Sequence, residues 1–132
     1  MSADALCDRT ASELSDELTA GEIKPSEILD SCLERIDAVD ERVKAFLELT
    51  PDLAHELADD GGRRFTDGEE LTGVAGIPIA LKDVLATRGI TTTCGSKILQ
   101  NYVPPYDCTP WARAVTRGPI PTWDRVGRTR IR

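Results

Sequence analysis

The stretch VAGIPIALKD, residues 74–83, is a nearly unbroken apolar run that ends in two charges. The run has no helical period, which is typical of a β-strand buried on both faces. Pro78 has no N–H to donate to a strand ladder, so we expect it at the start of the strand, at an edge or at a bulge. The sequence therefore predicts a buried strand that is followed at once by Lys82 and Asp83.

Two helices are predicted near the N-terminus. Thr10 and Glu13 have the spacing of a capping box at the start of the first helix, and Gly21 suits its end. Pro25 suits the first turn of the second helix, in which apolar residues recur every three or four positions from 28 to 39. Both helices are expected to bury one apolar face.

The predicted elements on either side of the central strand are less regular. Residues 43–49 fit either the end of the second helix or a short strand. Pro51 opens a third helix, which the glycine pair at 61–62 is expected to stop, and residues 63–70 are predicted as a surface loop. Beyond the central strand, residues 88–93 predict a turn and a second extended segment.

Composition indicates a soluble globular chain. Its 132 residues are 40% apolar and 30% charged, and no apolar run approaches the roughly 18 residues of a membrane span. The N-terminus has an early acid and no apolar signal core, so we expect a cytoplasmic protein with no membrane association. The four cysteines lie far apart and His55 is the only histidine, so we predict neither a metal site nor a disulfide framework.

The balance of charge changes near residue 109. Residues 1–109 carry 22 acids and 10 bases, whereas residues 110–132 carry Asp124 alone against six arginines. The net charge of -7 argues against a surface that neutralises nucleic-acid phosphates. We therefore expect two parts, a domain at 1–109 and an aberrant basic tail at 110–132.

Lys82 is the leading candidate for a catalytic residue. Burial at the end of an apolar run would favour the neutral amine, which can act as a general base for a hydroxyl nucleophile. The alternative is a solvated charge or an ion-pair partner of Asp83, which is the usual role of a lysine that ends a strand. His55 has no accompanying serine or cysteine motif, so a Ser-His-Asp site is not expected.

Three segments resemble the amidase-signature family in content and in their order along the chain: residues 76–83, 89–96 and 101–107. The pieces TTCGSK and PPYD are most similar to the tRNA-dependent amidotransferase branch of that family. The resemblance implies an α/β fold, of which this chain supplies the N-terminal helices and the first strands of a mixed sheet. The fold is therefore expected to be incomplete.

The resemblance also implies a catalytic set of a lysine, a serine in a cis peptide and a nucleophilic serine. Lys82 matches the lysine. It would draw a proton through the first serine while the second serine attacked a carboxamide, and backbone N–H groups would hold the oxyanion. Both family serines belong to a Gly/Ser-rich segment that this sequence lacks, and Ser96 matches neither. We therefore expect the chain to be inactive alone.

The family resemblance also implies partners and cofactors. In this branch of the family, ammonia released from glutamine passes to a B subunit, and a small C subunit holds the pair together. The resemblance thus implies subunits B and C as partners, and conversion of Glu-tRNA(Gln) to Gln-tRNA(Gln) by the complex. It implies no cofactor in this chain, since ATP and magnesium are used by the partner subunit.

The family pattern stops after Thr109, where the family continues with an amphipathic helix, a strand and a Gly-Lys-Thr-Asn segment. A shifted reading frame or a truncated gene would explain residues 110–132, and a genuine basic tail that docks on RNA or on an acidic partner is the alternative. Two other functions stay open: a fragment of a general amidase that acts on small amides, and a non-catalytic helical interaction module or pseudogene product.

Overall fold

The computed structural model describes residues 5–69, 74–115 and 120–126. Within these ranges the helices are α1 (Ala11–Ala20), α2 (Pro25–Val43), α3 (Pro51–Thr66) and α4 (Thr109–Val115). The strands are β1 (Phe46–Leu49), β2 (Pro78–Lys82) and β3 (Ile120–Val126), and short 3-10 helices cover Leu6–Asp8 and Lys97–Leu99. The predicted α/β class is confirmed.

The predicted ends of α1 are confirmed. The Thr10 hydroxyl accepts a hydrogen bond from the Glu13 N–H at 3.3 Å, and the Glu13 carboxylate accepts one from the Thr10 N–H at 2.8 Å. These two bonds close the capping box and satisfy N–H groups that have no partner within the helix. Gly21 ends the helix in the left-handed conformation, with a φ of 72°. Leu14 and Leu18 bury the inner face.

The structure resolves the two interpretations of residues 43–49, and both hold in part. Pro25 occupies the first turn of α2, as predicted, and Val43 is the last residue of this helix. Lys44 then adopts a left-handed conformation with a φ of 51°, which turns the chain out of the helix. Strand β1 begins two residues later at Phe46.

The predicted end of α3 was wrong. The helix continues through Gly61 and Gly62 to Thr66, so residues 63–66 are helical rather than part of a loop. Each glycine costs a helix about 1 kcal/mol relative to alanine, and burial of a phenylalanine contributes up to about 3 kcal/mol. Phe65 packs against a cluster of Leu14, Leu18, Ile28 and Ile77. This contact offsets much of the cost of the two glycines.

Strand β3 lies between the other two strands of a mixed sheet, which confirms the sheet type that the resemblance implies. It runs antiparallel to β1, with Phe46 opposite Val126, and parallel to β2, with Lys82 opposite Val126. Among the described residues, β1 and β2 each have β3 as their neighbour in the sheet. Both are therefore edge strands in this part of the molecule.

Strand β2 begins at Pro78, one of the positions that the sequence allowed for this proline. Its expected burial on both faces is wrong. Leu81 is buried, but Ala80 and Lys82 are exposed. An unbroken apolar run is typical of a strand covered on both sides, and the described residues cover β2 on one side.

Among the described residues, the core contains three clusters of buried side chains. The first joins α1 and α2 to Ile77, and the second joins Leu29 of α2 to Ala54 and Ala58 of α3. The third brings Trp111 of α4, 3% exposed, against Leu81 of β2. The segment 110–132 therefore contributes most of α4 and all of β3 to the described structure. Its origin in a shifted reading frame stays a prediction.

Candidate active site

Lys82 is the last residue of β2, and its side chain is exposed. Its backbone is held on both sides, because its Cα lies opposite Val126 in β3 and its carbonyl accepts a hydrogen bond from the Leu85 N–H at 2.9 Å. The chain thus turns immediately after the lysine. The burial that the sequence predicts for this amine is not seen in the described part of the chain.

Asp83 is 3% exposed, which makes it a buried acid directly beside an exposed lysine. Its carboxylate accepts hydrogen bonds from the Thr93 N–H at 2.8 Å, from the Gly95 N–H at 3.3 Å and from the Thr93 hydroxyl. Its backbone carbonyl accepts a further bond from the Cys94 N–H at 3.1 Å. Asp83 therefore ties the end of β2 to the turn formed by residues 93–95.

This turn has an unusual backbone. Cys94 has a φ of 50° and Gly95 a φ of 68°, so two consecutive residues lie in the left-handed region. Such a conformation is uncommon for a residue with a side chain and persists where surrounding bonds hold it. Besides the bonds to Asp83, the Ser96 N–H donates to the Thr93 carbonyl at 2.8 Å. The turn is thus fixed from both ends.

Ser96 serves this local structure. Its hydroxyl accepts a hydrogen bond from the Ile98 N–H at 3.3 Å and so caps the 3-10 helix Lys97–Leu99. That Ser96 matches neither family serine stays a prediction.

Two loops beyond Lys82 run side by side and support the turn. The Gly89 N–H donates to the Pro104 carbonyl at 3.0 Å, and the Thr92 N–H donates to the Tyr102 carbonyl at 2.9 Å. These bonds fix the extended segment predicted at 88–93, although it forms no regular strand. The loops and β2 together present Lys82 at one edge of the described structure.

Sequence reasoning did not find the role of Asp83. The signal was present, since an acid directly follows the predicted strand and a turn of small residues follows ten positions later. The sequence offers Lys82 and Asp83 as ion-pair partners, whereas the structure shows the Asp83 carboxylate bonded to Thr93 and Gly95.

In the described part of the chain, the other candidate groups form no second site. Within residues 5–69, 74–115 and 120–126, no group of three or more His, Cys, Asp and Glu side chains could hold a metal ion. The Nε2 atom of His55 on α3 lies 3.6 Å from an Asp30 carboxylate oxygen on α2, with the two side chains 44% and 59% exposed. His55 thus belongs to the helical surface. No helix in the described ranges is long and apolar enough to cross a membrane.

A groove of about 1030 Å³ lies on the helical part of the molecule. It is formed by the end of α1, the start of α2 and one side of α3. Neither Lys82 nor Asp83 lines it, so the groove and the lysine-bearing edge are separate features. We place the candidate site at Lys82 because it matches the family lysine and because the neighbouring Asp83 is anchored to the turn at 93–95.

The fold and this lysine-bearing strand define a member of the amidase class. The family described as Amidase matches residues 27–127, most of the chain, and the chain belongs to that family. It is 43% identical over 113 residues to the A subunit of glutamyl-tRNA(Gln) amidotransferase from Geobacter sp. (strain M21), a match that covers 86% of this chain and 23% of the relative. The protein of the same name from Halothermothrix orenii is 48% identical over 116 residues, which cover 87% of this chain and 22% of that relative. The chain thus spans about a quarter of the length of the curated relatives it matches.

Solved structures give the same family. The peptide amidase from Stenotrophomonas maltophilia superposes with a TM-score of 0.84 at 29% identity, covering 92% of this chain and 25% of that one. Fatty acid amide hydrolase superposes with a TM-score of 0.86 over 93% of this chain and 22% of that one, and its 22% identity supports the fold alone. The resemblance to the amidase-signature family is therefore confirmed.

Proposed function

We propose that this chain is the lysine-bearing N-terminal part of a glutamine-hydrolysing amidase subunit of a tRNA-dependent amidotransferase. The observation that carries the proposal is the identity of 43–48%, over 86–87% of this chain, to relatives named as the A subunit of glutamyl-tRNA(Gln) amidotransferase. This similarity includes the ordered segments around Lys82 on which the sequence resemblance rests.

The proposed reaction is hydrolysis of the glutamine side-chain amide. The Lys82 amine takes the proton of the nucleophilic serine through the other serine, while the oxygen of the nucleophilic serine bonds to the carboxamide carbon. The proton passes to the amide nitrogen as the C–N bond breaks and ammonia leaves, and a water molecule then hydrolyses the glutamyl ester to glutamate and frees the serine. Both serines would come from the larger part of the relatives that this chain does not match. The exposed position of Lys82 suits this arrangement, because the missing part would cover the open face of β2 and desolvate the amine.

The proposed setting is a cytoplasmic complex. Subunits B and C are the partners, and the ammonia released from glutamine converts Glu-tRNA(Gln) to Gln-tRNA(Gln). ATP and magnesium act in the partner subunit, so no cofactor is assigned to this chain. Without the serines, the chain alone is expected to release no ammonia from glutamine above background.

A general amidase is the second candidate. The superposition on a peptide amidase with a TM-score of 0.84 favours it, because the same helices and strands support hydrolysis of other amides in that protein. Lys82 would have the same role in either enzyme, so the two candidates differ in the substrate and not in the base.

Hybrid enzymes test both candidates. In the amidotransferase hybrid, residues 1–109 of this chain replace the matching part of the relative from Geobacter sp. (strain M21), which is expressed with its own partner subunits. In the peptide amidase hybrid, they replace the matching part of the Stenotrophomonas maltophilia enzyme. We expect the amidotransferase hybrid to release ammonia from glutamine and the peptide amidase hybrid to be impaired. Activity in the peptide amidase hybrid alone would favour the general amidase.

The role of Lys82 is tested in the active hybrid. We expect Lys82→Ala to lower kcat by at least about 100-fold, which is the usual contribution of a general base. Lys97→Ala is the matched control, since Lys97 is also an exposed lysine near the turn, and it should leave kcat within about twofold. Full activity of the Lys82→Ala hybrid would contradict the proposal.

A further inference from the structure

Lys82 and Asp83 are neighbours at the end of β2, but one is exposed and the other is buried. Lys82 ends β2 and is exposed, whereas Asp83, the first residue of the following turn, is 3% exposed. A buried carboxylate is tolerated where hydrogen bonds satisfy it. Thr93 and Gly95 supply such bonds, so Asp83 is held by the turn at 93–95.

The anchoring of Asp83 restricts the peptide unit that joins it to Lys82. Its side chain and its backbone carbonyl are both bonded to the turn, the carbonyl through the Cys94 N–H at 3.1 Å. On the other side, pairing with β3 fixes the Lys82 backbone. The direction in which the lysine side chain leaves the strand is therefore set by contacts on both sides of it.

We propose that Asp83 is a positioning residue, which directs the Lys82 amine toward the reacting groups by anchoring the end of β2 to the turn at 93–95. The inference rests on the proposed function, since it assigns Asp83 a part in the same reaction. Displacement of a catalytic group by about 1 Å can lower a rate by about 100-fold. Hydrogen bonds to an ionised acceptor are stronger than neutral ones, so an amide at position 83 would not hold the turn as firmly.

Asp83→Asn in the amidotransferase hybrid is the main test. The substitution keeps the shape of the side chain but replaces one accepting oxygen by a donor, which would face the N–H groups of Thr93 or Gly95. We expect kcat for glutamine hydrolysis to fall by about 10- to 100-fold. The KM for glutamine should stay within about threefold, because Asp83 does not contact substrate in this scheme.

Two comparisons separate positioning from a general loss of structure. Asp107 also clamps a loop, since its carboxylate accepts a hydrogen bond from the Arg88 N–H at 2.8 Å, but it does not adjoin the lysine. Asp107→Asn should leave kcat within about twofold. Thr93→Ser keeps the hydroxyl that donates to Asp83 and should retain more activity than Thr93→Val. Equal losses of kcat in Asp83→Asn and Asp107→Asn would overturn the inference.

Lysine labelling gives a readout that does not depend on activity. An amine-reactive acetylating reagent is applied to the amidotransferase hybrid, and mass spectrometry compares the labelling rates of Lys82 and Lys97. Asp83→Asn should change their ratio by at least about threefold, and Asp107→Asn should not. An unchanged kcat or an unchanged ratio in Asp83→Asn would overturn the positioning role. Retained activity in Lys82→Ala would instead contradict the proposed function.

Discussion

Gly76 lies directly against Phe65, and a Cβ built on Gly76 would come within 2.9 Å of the Phe65 Cε2 atom. The same Cβ would lie 3.1 Å from Pro25 Cγ and 3.2 Å from Leu18 Cδ1. Gly76 also has a φ of 76°, a conformation that disfavours any residue with a side chain. The turn that leads into β2 thus packs on α1, α2 and α3 at a point where glycine alone fits without strain.

Gly76→Ala is expected to destabilise the helical core by about 2–4 kcal/mol, from backbone strain and overpacking together. Gly89→Ala is the matched control, because Gly89 has a φ of 78° but no atom of the described residues lies within 4 Å of an added Cβ. The control should cost about 1–2 kcal/mol, the backbone strain alone. Amide hydrogen exchange at Leu14, Leu18 and Ile28 measures both effects. Equal loss of protection in the two variants would contradict the role of the Phe65 contact.

The capping box makes the start of α1 sensitive to pH. Two hydrogen bonds lower the pKa of the Glu13 carboxyl below its ordinary value of 4.5. The larger effect comes from the Thr10 backbone N–H and the smaller from the Thr10 hydroxyl. Because the folded-state pKa is lowered, the stabilisation is present above pH 4.5 and is lost as the pH falls through the folded-state value. We expect exchange protection of the Leu14 amide to weaken in that acid range.

Glu13→Gln should remove this acid dependence, since glutamine still caps Thr10 but does not titrate. Glu41→Gln replaces an exposed glutamate near the end of α2 and is the control, which should keep the acid dependence of the unchanged chain. If both variants lost the pH dependence of exchange protection at Leu14, that dependence would not arise from the capping box.

The features that the sequence predicted correctly depend on short-range physics. A capping box such as Thr10 with Glu13 is specified by two residues three positions apart, and the geometry of the chain alone closes it. Pro25 and Pro78 are also local signals, because a missing N–H restricts where a proline fits in a helix or a strand. Such features need no knowledge of the rest of the fold.

The features that were missed depend on contacts between distant residues. The glycine pair at 61–62 predicts a helix end, but Phe65 gains its contact with Leu14 and Ile77, and no local pattern reveals that contact. Asp83 is recognisable as an anchor once the turn ten residues later is placed beside it. The exposure of Lys82 likewise reflects which strands and faces are covered, and the order of residues in β2 does not contain that information.

The DNA that encodes residues 110–132 is expected to contain a shifted reading frame. The reversal of the charge balance after residue 109 motivates this prediction. The family match continues to residue 127, so the expected loss of the family pattern after Thr109 was wrong, and the match does not support a shifted frame. Translation of the other two frames after codon 109 should give an amphipathic helix, a strand with Gly-Lys-Thr-Asn and a Gly/Ser-rich segment with two serines. If neither frame encodes these segments, residues 110–132 are a genuine basic extension, and binding of RNA to it should then be measured.

The open edge of β1 is expected to make the 132-residue chain associate when it is prepared by itself. Leu47 and Leu49 are 44% and 41% exposed on a strand that has β3 as its one neighbour in the described sheet, an arrangement that favours association between chains. We expect poor solubility and no sharp thermal transition. Leu47→Lys should raise the concentration at which light scattering begins by about threefold, because a lysine on an edge strand blocks pairing.

Ala38→Lys on the exposed side of α2 is the control for that experiment, since it adds the same charge away from β1. The net charge is -7, so an added lysine brings the chain closer to neutrality and, by itself, lowers solubility. A gain in Leu47→Lys without a gain in Ala38→Lys therefore has to come from the strand edge. A sharp, cooperative melting transition of the unchanged chain, or equal behaviour of the two variants, would contradict the assignment of β1 as the surface through which chains associate.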